Sequence, residues 1–175
     1  MCIRDRAGIG GLESLMGVPA SIGGAIRMNA GGAYGEIGDA VHAVACLDAG
    51  GEIRVYTADE LRFEYRSTNI VDPIILWTVF SITQENPVRL RERVKEIAAY
   101  KSRTQPLGEK SAGCMYRNPI DPETGERVSA GRIIDEVGLK GLQHGSATVS
   151  TRHANFFTIE RNGRARDAIE LGDLV

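Results

Sequence analysis

The stretch GVPASIGGAIRMNAG, residues 17–31, decides how this chain is read. It lies inside a longer run, GIGGLESLMGVPASIGGAIRMNAGGAYGEIG at 8–38, that carries too many glycines for a long helix. Ser21 stands where a side-chain oxygen can cap a short helix covering part of 22–28. Residues 29–35 then read as loop. Two uses of the glycines stay open at this point. They permit tight structural turns, and they let backbone N–H groups approach a bound molecule with no side chain between. Glycine accounts for 21 of the 175 residues, concentrated in the first 51, where about 7% is usual.

Working outward, strands follow the glycine run. Val41, Ala43 and Ala45 alternate with Val44 and Cys46 over 40–48, so the two sets fall on opposite faces. Ala49-Gly50-Gly51 makes a turn, and 52–57 alternates again through Ile53 and Val55, which predicts a hairpin. Thr57 and Glu60 have capping-box spacing for one helical turn. The run 74–82 is dominated by apolar residues, several of them β-branched, as expected of a buried strand. Asn86-Pro87 opens a helix over 87–102, with Leu90, Val94, Ile97 and Ala98 on one face and Lys101 at its end. Loop and strand over 103–118 and a polar loop over 119–129 lead to Ser129. That serine caps a helix at 130–137, with Ile133, Ile134 and Val137 inward and Gly138 as the stop. Strands near 147–150 and 154–160, a turn at Asn162-Gly163 and a helix at about 165–173 complete the chain. The order predicts an α+β protein of two parts, 1–85 and 86–175.

Composition excludes several classes. Acids number 23 and bases 21, a formal net charge of −2, so nucleic-acid binding through bulk positive charge is ruled out. Apolar residues at 42% and charged residues at 25% are ordinary globular values. No apolar run approaches the roughly 20 residues of a membrane span, and the N-terminus lacks the apolar stretch of a signal peptide. The cysteines, Cys2, Cys46 and Cys114, are too sparse for a disulfide framework or zinc cluster, and they fit a reducing cytoplasm. The histidines are scattered, so no metal site is expected. Gly8, Gly10 and Gly11 do not complete a dinucleotide-binding fingerprint, and P-loop, H-E-x-x-H and G-x-S-x-G motifs are absent.

Five further segments stand in order with residues 17–31: RFEYRS at 62–67, TQP at 104–106, SAGCMYRNP at 111–119, AGRIIDEVGLKG at 130–141 and VSTRHANF at 149–156. Together they resemble UDP-N-acetylmuramate dehydrogenase, also called UDP-N-acetylenolpyruvoylglucosamine reductase, in its form with the shorter substrate domain. The resemblance covers nearly all of 8–175. It implies part of an FAD-binding domain of the vanillyl-alcohol-oxidase-like type, followed by a small α+β substrate-binding domain. It also implies a cytoplasmic, monomeric flavoenzyme of peptidoglycan precursor synthesis, and hence a role in cell-wall biogenesis, cell shape and division. In that family NADPH reduces FAD, and hydride then passes to the enolpyruvyl double bond of UDP-N-acetylenolpyruvoylglucosamine.

Carried over residue by residue, the resemblance makes Val18, Pro19, Ser21, Gly23, Gly24, Arg27, Gly31 and Ile75 candidates for FAD contact. Arg66 would face the substrate carboxylate, and Cys114 would stand where the family has a serine that protonates the intermediate. A thiol gives up a proton more readily than an alcohol, so the exchange preserves the chemistry. Tyr65, Asn118, Lys140 and His153 would contact the UDP-sugar, with Lys140 suited to a diphosphate. Without the family, Arg66 reads as a surface ion-pair partner and Cys114 as a small buried hydrophobe. Asn118 then reads as a turn residue, Lys140 as a helix-end charge and His153 as a loop histidine.

Departures from the family are also visible. Ala30-Gly31-Gly32-Ala33-Tyr34 carries one glycine more than the family's Ala-Gly-Ala-Tyr. The family's N-terminal section with its diphosphate loop, and its glutamate near the C-terminus, have no counterpart here. The expectation is a fragment, inactive alone, with residues 1–6 matching no family pattern and reading as an artefact. Two alternatives remain: a UDP-sugar-binding module without flavin, and another oxidoreductase on the same flavin fold. Relatives that oxidise sugars or alcohols would not need Tyr65-Arg66 or the Ser111–Cys114 stretch.

Overall fold

A computed structural model describes residues 7–175. Cys2 and the unmatched segment 1–6 lie outside the described residues. The chain divides into two compact units, one ending at Ala99 and the other running from Tyr100 to Val175. Both are α+β. The division by compactness falls within a helix, between Ala99 and Tyr100.

In the first unit, helix α1 (Ile22–Arg27) forms as the cap predicts: Ser21 Oγ accepts from Gly24 N at 3.1 Å. Strands β1 (Val41–Leu47), β2 (Ile53–Thr57) and β3 (Ile74–Phe80) make an antiparallel sheet in the order β2-β1-β3. The hairpin register sets Val44 opposite Tyr56 and Ala45 opposite Val55. Asp48 Oδ1 closes its turn by accepting from Gly50 N and Glu52 N. Ala25, Ile26, Ile37, Val44, Cys46, Tyr56, Leu61 and Ile70 form the core beneath the sheet. Ala45 faces the other way yet is fully buried, because its short side chain is covered by Val55 and Trp77 on the flanking strands.

Strand β3 departs from expectation. It ends at Phe80, and Ile74, Leu76, Trp77 and Val79 are 43–50% exposed. Among the described residues it pairs only with β1, so it is an edge strand and not a buried one. A predominantly apolar run specifies a β conformation but not the number of neighbours. Thr57 and Glu60 close a turn, with Thr57 N donating to Glu60 Oε2 at 2.8 Å, but no helix follows.

Helix α2 (Pro87–Thr104) runs two residues past its predicted end at 102. Asn86 Oδ1 caps it by accepting from Val88 N at 2.8 Å. Leu90 and Ile97 are buried as predicted, and Lys101 is buried inside the last turns rather than ending them.

In the second unit, helix α3 (Ala130–Glu136) precedes the antiparallel strands β4 (Gln143–His144), β5 (Ala147–Val149) and β6 (Phe157–Ile159), paired in that order. Helix α4 (Ala165–Leu174) closes the chain. The core joins Ile134, Ala147, Val149, Ala154, Phe157 and Leu171. Ser129 Oγ caps α3 through Arg132 N, and Gly138 stops it at φ 79°. Ile133 and Val137, predicted inward, are 39% and 65% exposed. A seven-residue helix has one narrow inner stripe, and Ala130, Gly131 and Ile134 fill it. Among the described residues, no helix is long and apolar enough to cross a membrane.

Candidate functional site

Two non-glycine residues in the described chain have positive φ, Asn29 at 41° and Arg66 at 57°. Asparagine tolerates this region, whereas for arginine it costs on the order of 1–3 kcal/mol unless the surroundings impose it. The two residues touch. Arg66 Nη1 donates to the Asn29 carbonyl at 3.3 Å and to Glu36 Oε1 at 3.4 Å, while Nη2 donates to the Gly31 carbonyl at 2.9 Å. The Arg66 guanidinium also lies over the Tyr65 ring, 4.9 Å from its centroid. Arg66 is therefore fixed against the glycine segment and only partly exposed.

The glycine segment is shaped to receive it. Gly31–Gly32 pairs antiparallel with Gly35–Glu36. A Cβ at Gly31 would overlap Gly35 O and Glu36, so the hairpin requires glycine there, whereas a Cβ at Gly32 would meet nothing within 4 Å. The additional glycine of this loop is thus sterically idle. Buried Asn29 ties the hairpin down: its Nδ2 donates to Glu36 Oε2 and to Glu64 O, and its Oδ1 accepts from Gly38 N at 3.1 Å.

The remaining candidates of this unit surround α1. Val18 and Gly23 are half-buried, and Pro19, Ser21 and Gly24 are exposed. Half-buried Ile75 comes within van der Waals reach of the Cβ position of Gly23. Arg27 spends two guanidinium nitrogens on the carbonyls of Ile70 and Asp72. It thereby anchors the loop that leads into β3, and the Asp72 carboxylate accepts from the buried Tyr56 hydroxyl at 2.7 Å. Burial, and then that hydrogen bond, push the Tyr56 phenol upward. A cavity of about 690 Å³ opens beside α1. Leu15, Val18, Ile22 and Phe80 supply apolar wall, and Arg91 and Lys95 supply cations.

In the second unit the candidates gather around α3. Asn155, which is buried, clamps the strand-like stretch before it: Tyr116 N donates to its Oδ1 at 2.9 Å and its Nδ2 donates to Tyr116 O at 2.9 Å. Exposed Cys114 is thereby set opposite Phe156. The Phe156 ring packs on His153 at 4.8 Å. His153 in turn fills the space where Gly131 lacks a side chain, and its Nδ1 accepts from Asn155 N at 3.2 Å. Burial lowers the His153 pKa, and the positive charge of Lys140 lowers it further. Lys140 Nζ pairs with Asp135 at 2.6 Å. Asn118 Oδ1 accepts from Ala130 N, joining the loop to the start of α3.

Asn29, Glu36 and Asn155 organise these candidates and escaped the sequence reading. Polar residues in loops give no periodic signal, and their partners lie up to 39 positions away.

Comparison with known proteins gives a consistent result. Residues 105–175 match the family profile described as UDP-N-acetylenolpyruvoylglucosamine reductase, C-terminal domain. A reductase of that name from Syntrophobacter fumaroxidans is 37% identical over 99% of this chain, which covers 48% of that protein. One from Thermus thermophilus is 41% identical over 95% of the chain, covering 60% of that protein. The crystal structure of the Thermus caldophilus reductase superposes with a TM-score of 0.85 at 39% identity, over 98% of this chain and 61% of that one. The chain thus spans about half to three-fifths of the length of these relatives.

Proposed function

We propose, from the premise that the chain is a segment of the UDP-N-acetylenolpyruvoylglucosamine reductase family, that it belongs to an FAD-dependent enzyme. That enzyme converts UDP-N-acetylenolpyruvoylglucosamine to UDP-N-acetylmuramate with NADPH, in the cytoplasm, as a monomer and for peptidoglycan synthesis. The proposal divides the chain into part of an FAD-binding domain at 1–85 and a substrate domain at 86–175.

The observation that carries this reading is the Arg66 guanidinium, held on three oxygens beside a glycine hairpin. The cavity beside α1, with apolar walls and two cations, fits an anionic cofactor with a flat apolar ring, and of the candidates Val18 and Ser21 line it. Val18, Pro19, Ser21, Gly23, Gly24, Arg27, Gly31 and Ile75 would hold FAD, which when bound supplies hydride derived from NADPH. By itself the chain is proposed to bind FAD weakly and to be inactive.

The chain's own residues do the rest. Reduction adds hydride to one carbon of the enolpyruvyl double bond and a proton to its neighbour, while NADPH is oxidised. Negative charge grows on the substrate carboxylate as hydride arrives, and a preorganised guanidinium at Arg66 stabilises that charge. The Cys114 thiol supplies the proton. Lys140 meets the diphosphate, and Tyr65, Asn118 and His153 orient the sugar nucleotide.

The test uses a hybrid in which this chain replaces the matching stretch of the Thermus thermophilus reductase. Arg66→Ala should lower kcat by roughly a hundredfold or more, with flavin reduction by NADPH retained, because the lost interaction belongs to the transition state. A raised KM with unchanged kcat would make Arg66 a binding residue and overturn its assigned role.

A further inference from the structure

We infer that Glu36, locked by Asn29, is the positioning residue for Arg66. The inference rests on the role proposed for Arg66 and adds a part to it. Both oxygens of the Glu36 carboxylate are engaged in this network. One oxygen accepts from Arg66 Nη1 at 3.4 Å, and the other accepts from Asn29 Nδ2. The carboxylate also accepts from the Asp39 amide, as half of a capping box on the 3-10 turn Ile37–Ala40, whose other half is Glu36 N donating to Asp39 Oδ2 at 2.8 Å. Glu36 therefore has little rotamer freedom of its own to lose when it holds the guanidinium.

The backbone agrees with the side chains. The two left-handed non-glycine residues are the arginine and the asparagine of this same network. Asn29 turns its carbonyl to Arg66 while its amide group grips Glu36 and Glu64 O. Arg66 hangs from a left-handed position that an ordinary surface arginine has no reason to adopt. Backbone cost and a buried polar hub at one guanidinium are what a fixed electrostatic group requires, since a donor that must first reorient loses its advantage.

Glu36 also sets the charge. A carboxylate beside the guanidinium weakens its attraction for a resting anion but leaves its geometry intact. Removing the charge alone should therefore loosen the arginine without weakening ground-state binding of a carboxylate.

The test is Glu36→Gln. In the 175-residue chain with ¹⁵N-labelled arginine, the Arg66 Nη–H signals should be distinct and slowly averaging in the parent. They should collapse toward the free-guanidinium average in Glu36→Gln, and be partly retained in Glu36→Asp, which keeps the charge on a shorter arm. Unchanged Arg66 signals in Glu36→Gln overturn the inference. If Glu36→Gln fails to fold, Glu36→Asp carries the same decision: signals as sharp as the parent's would overturn it. In the hybrid reductase, Glu36→Gln should lower kcat roughly tenfold to a hundredfold with KM unchanged or lower, as expected of a misplaced group. Added to Arg66→Ala, it should cost nothing further. Additive losses would overturn the inference while leaving the role of Arg66 standing. An Arg66→Ala enzyme with full kcat would remove that role, and the arginine signals would still decide whether Glu36 holds it.

Discussion

Cys114 and Cys46 share a side chain and differ in exposure to solvent. Cys46 is fully buried in the core of the first unit, and burial pushes its thiol upward. Cys114 is exposed on the stretch paired with Phe156. If Cys114 is the proton donor, the hybrid enzyme should keep substantial activity with Cys114→Ser and lose most of it with Cys114→Ala. The three side chains are of similar volume, but alanine has no transferable proton. The flavin-oxidation step, followed by absorbance, separates them, and equal rates for alanine and parent would remove Cys114 from the chemistry. His153 supplies a second test, in the chain itself. Burial holds its folded pKa below the ordinary 6.5, so in acid the unfolded chain takes up a proton that folded His153 refuses. The penalty is absent well above 6.5 and grows as pH falls from there to the depressed folded value. Urea midpoints at about pH 7.5 and about pH 5.5 should differ more in the parent than in His153→Gln. A slope that survives the substitution would assign it to another group.

At the scale of elements, the glycine hairpin separates steric need from mere composition. Gly31→Ala drives a methyl into Gly35 O and Glu36, and overpacking of this kind costs about 1–3 kcal/mol. Gly32→Ala enters open space and should be neutral, or stabilising by a few tenths of a kcal/mol through the unfolded state. Thermal unfolding of the two variants should therefore diverge, and a Gly31→Ala protein as stable as the parent would mean that the hairpin yields. The sequence shows why glycines cluster here but not which one is indispensable, because that depends on the strand folding back five residues later. The same limit explains the other partial readings. Helix α2 was legible because its cap and its 3.6-residue period are local. The exposed positions of β3, and of Ile133 and Val137 on α3, depend on neighbours that composition does not name. Arg66 and Cys114 are candidates only through motif resemblance. Glu36 was not among them, since its link to Arg66 crosses 30 positions of chain with no pattern to mark it.

Taken whole, the chain presents an apolar surface that its own described residues leave open. On the outer face of the β2-β1-β3 sheet, Ile53 is 65% exposed, Val55 43%, Trp77 49% and Val79 43%. Their register places them side by side: Val55 and Trp77 both oppose Ala45, and Val79 opposes Ala43. Both outer strands also leave an edge unpaired among the described residues. Contiguous apolar surface beside open edges favours association, because burying it removes water and pairing the edge satisfies backbone groups. The 175-residue chain by itself should therefore self-associate as its concentration rises. Trp77 reports this directly, since it is the one tryptophan of the sequence and lies on the face in question. Its emission should lie toward the red in dilute solution and shift to the blue with concentration, in step with the mass measured by sedimentation. Trp77→Lys should keep the chain monomeric to higher concentration. It should change the urea midpoint little, because an exposed side chain contributes within about 0.5 kcal/mol. A parent chain that stays monomeric, with blue emission at every concentration, would mean that this face is already covered.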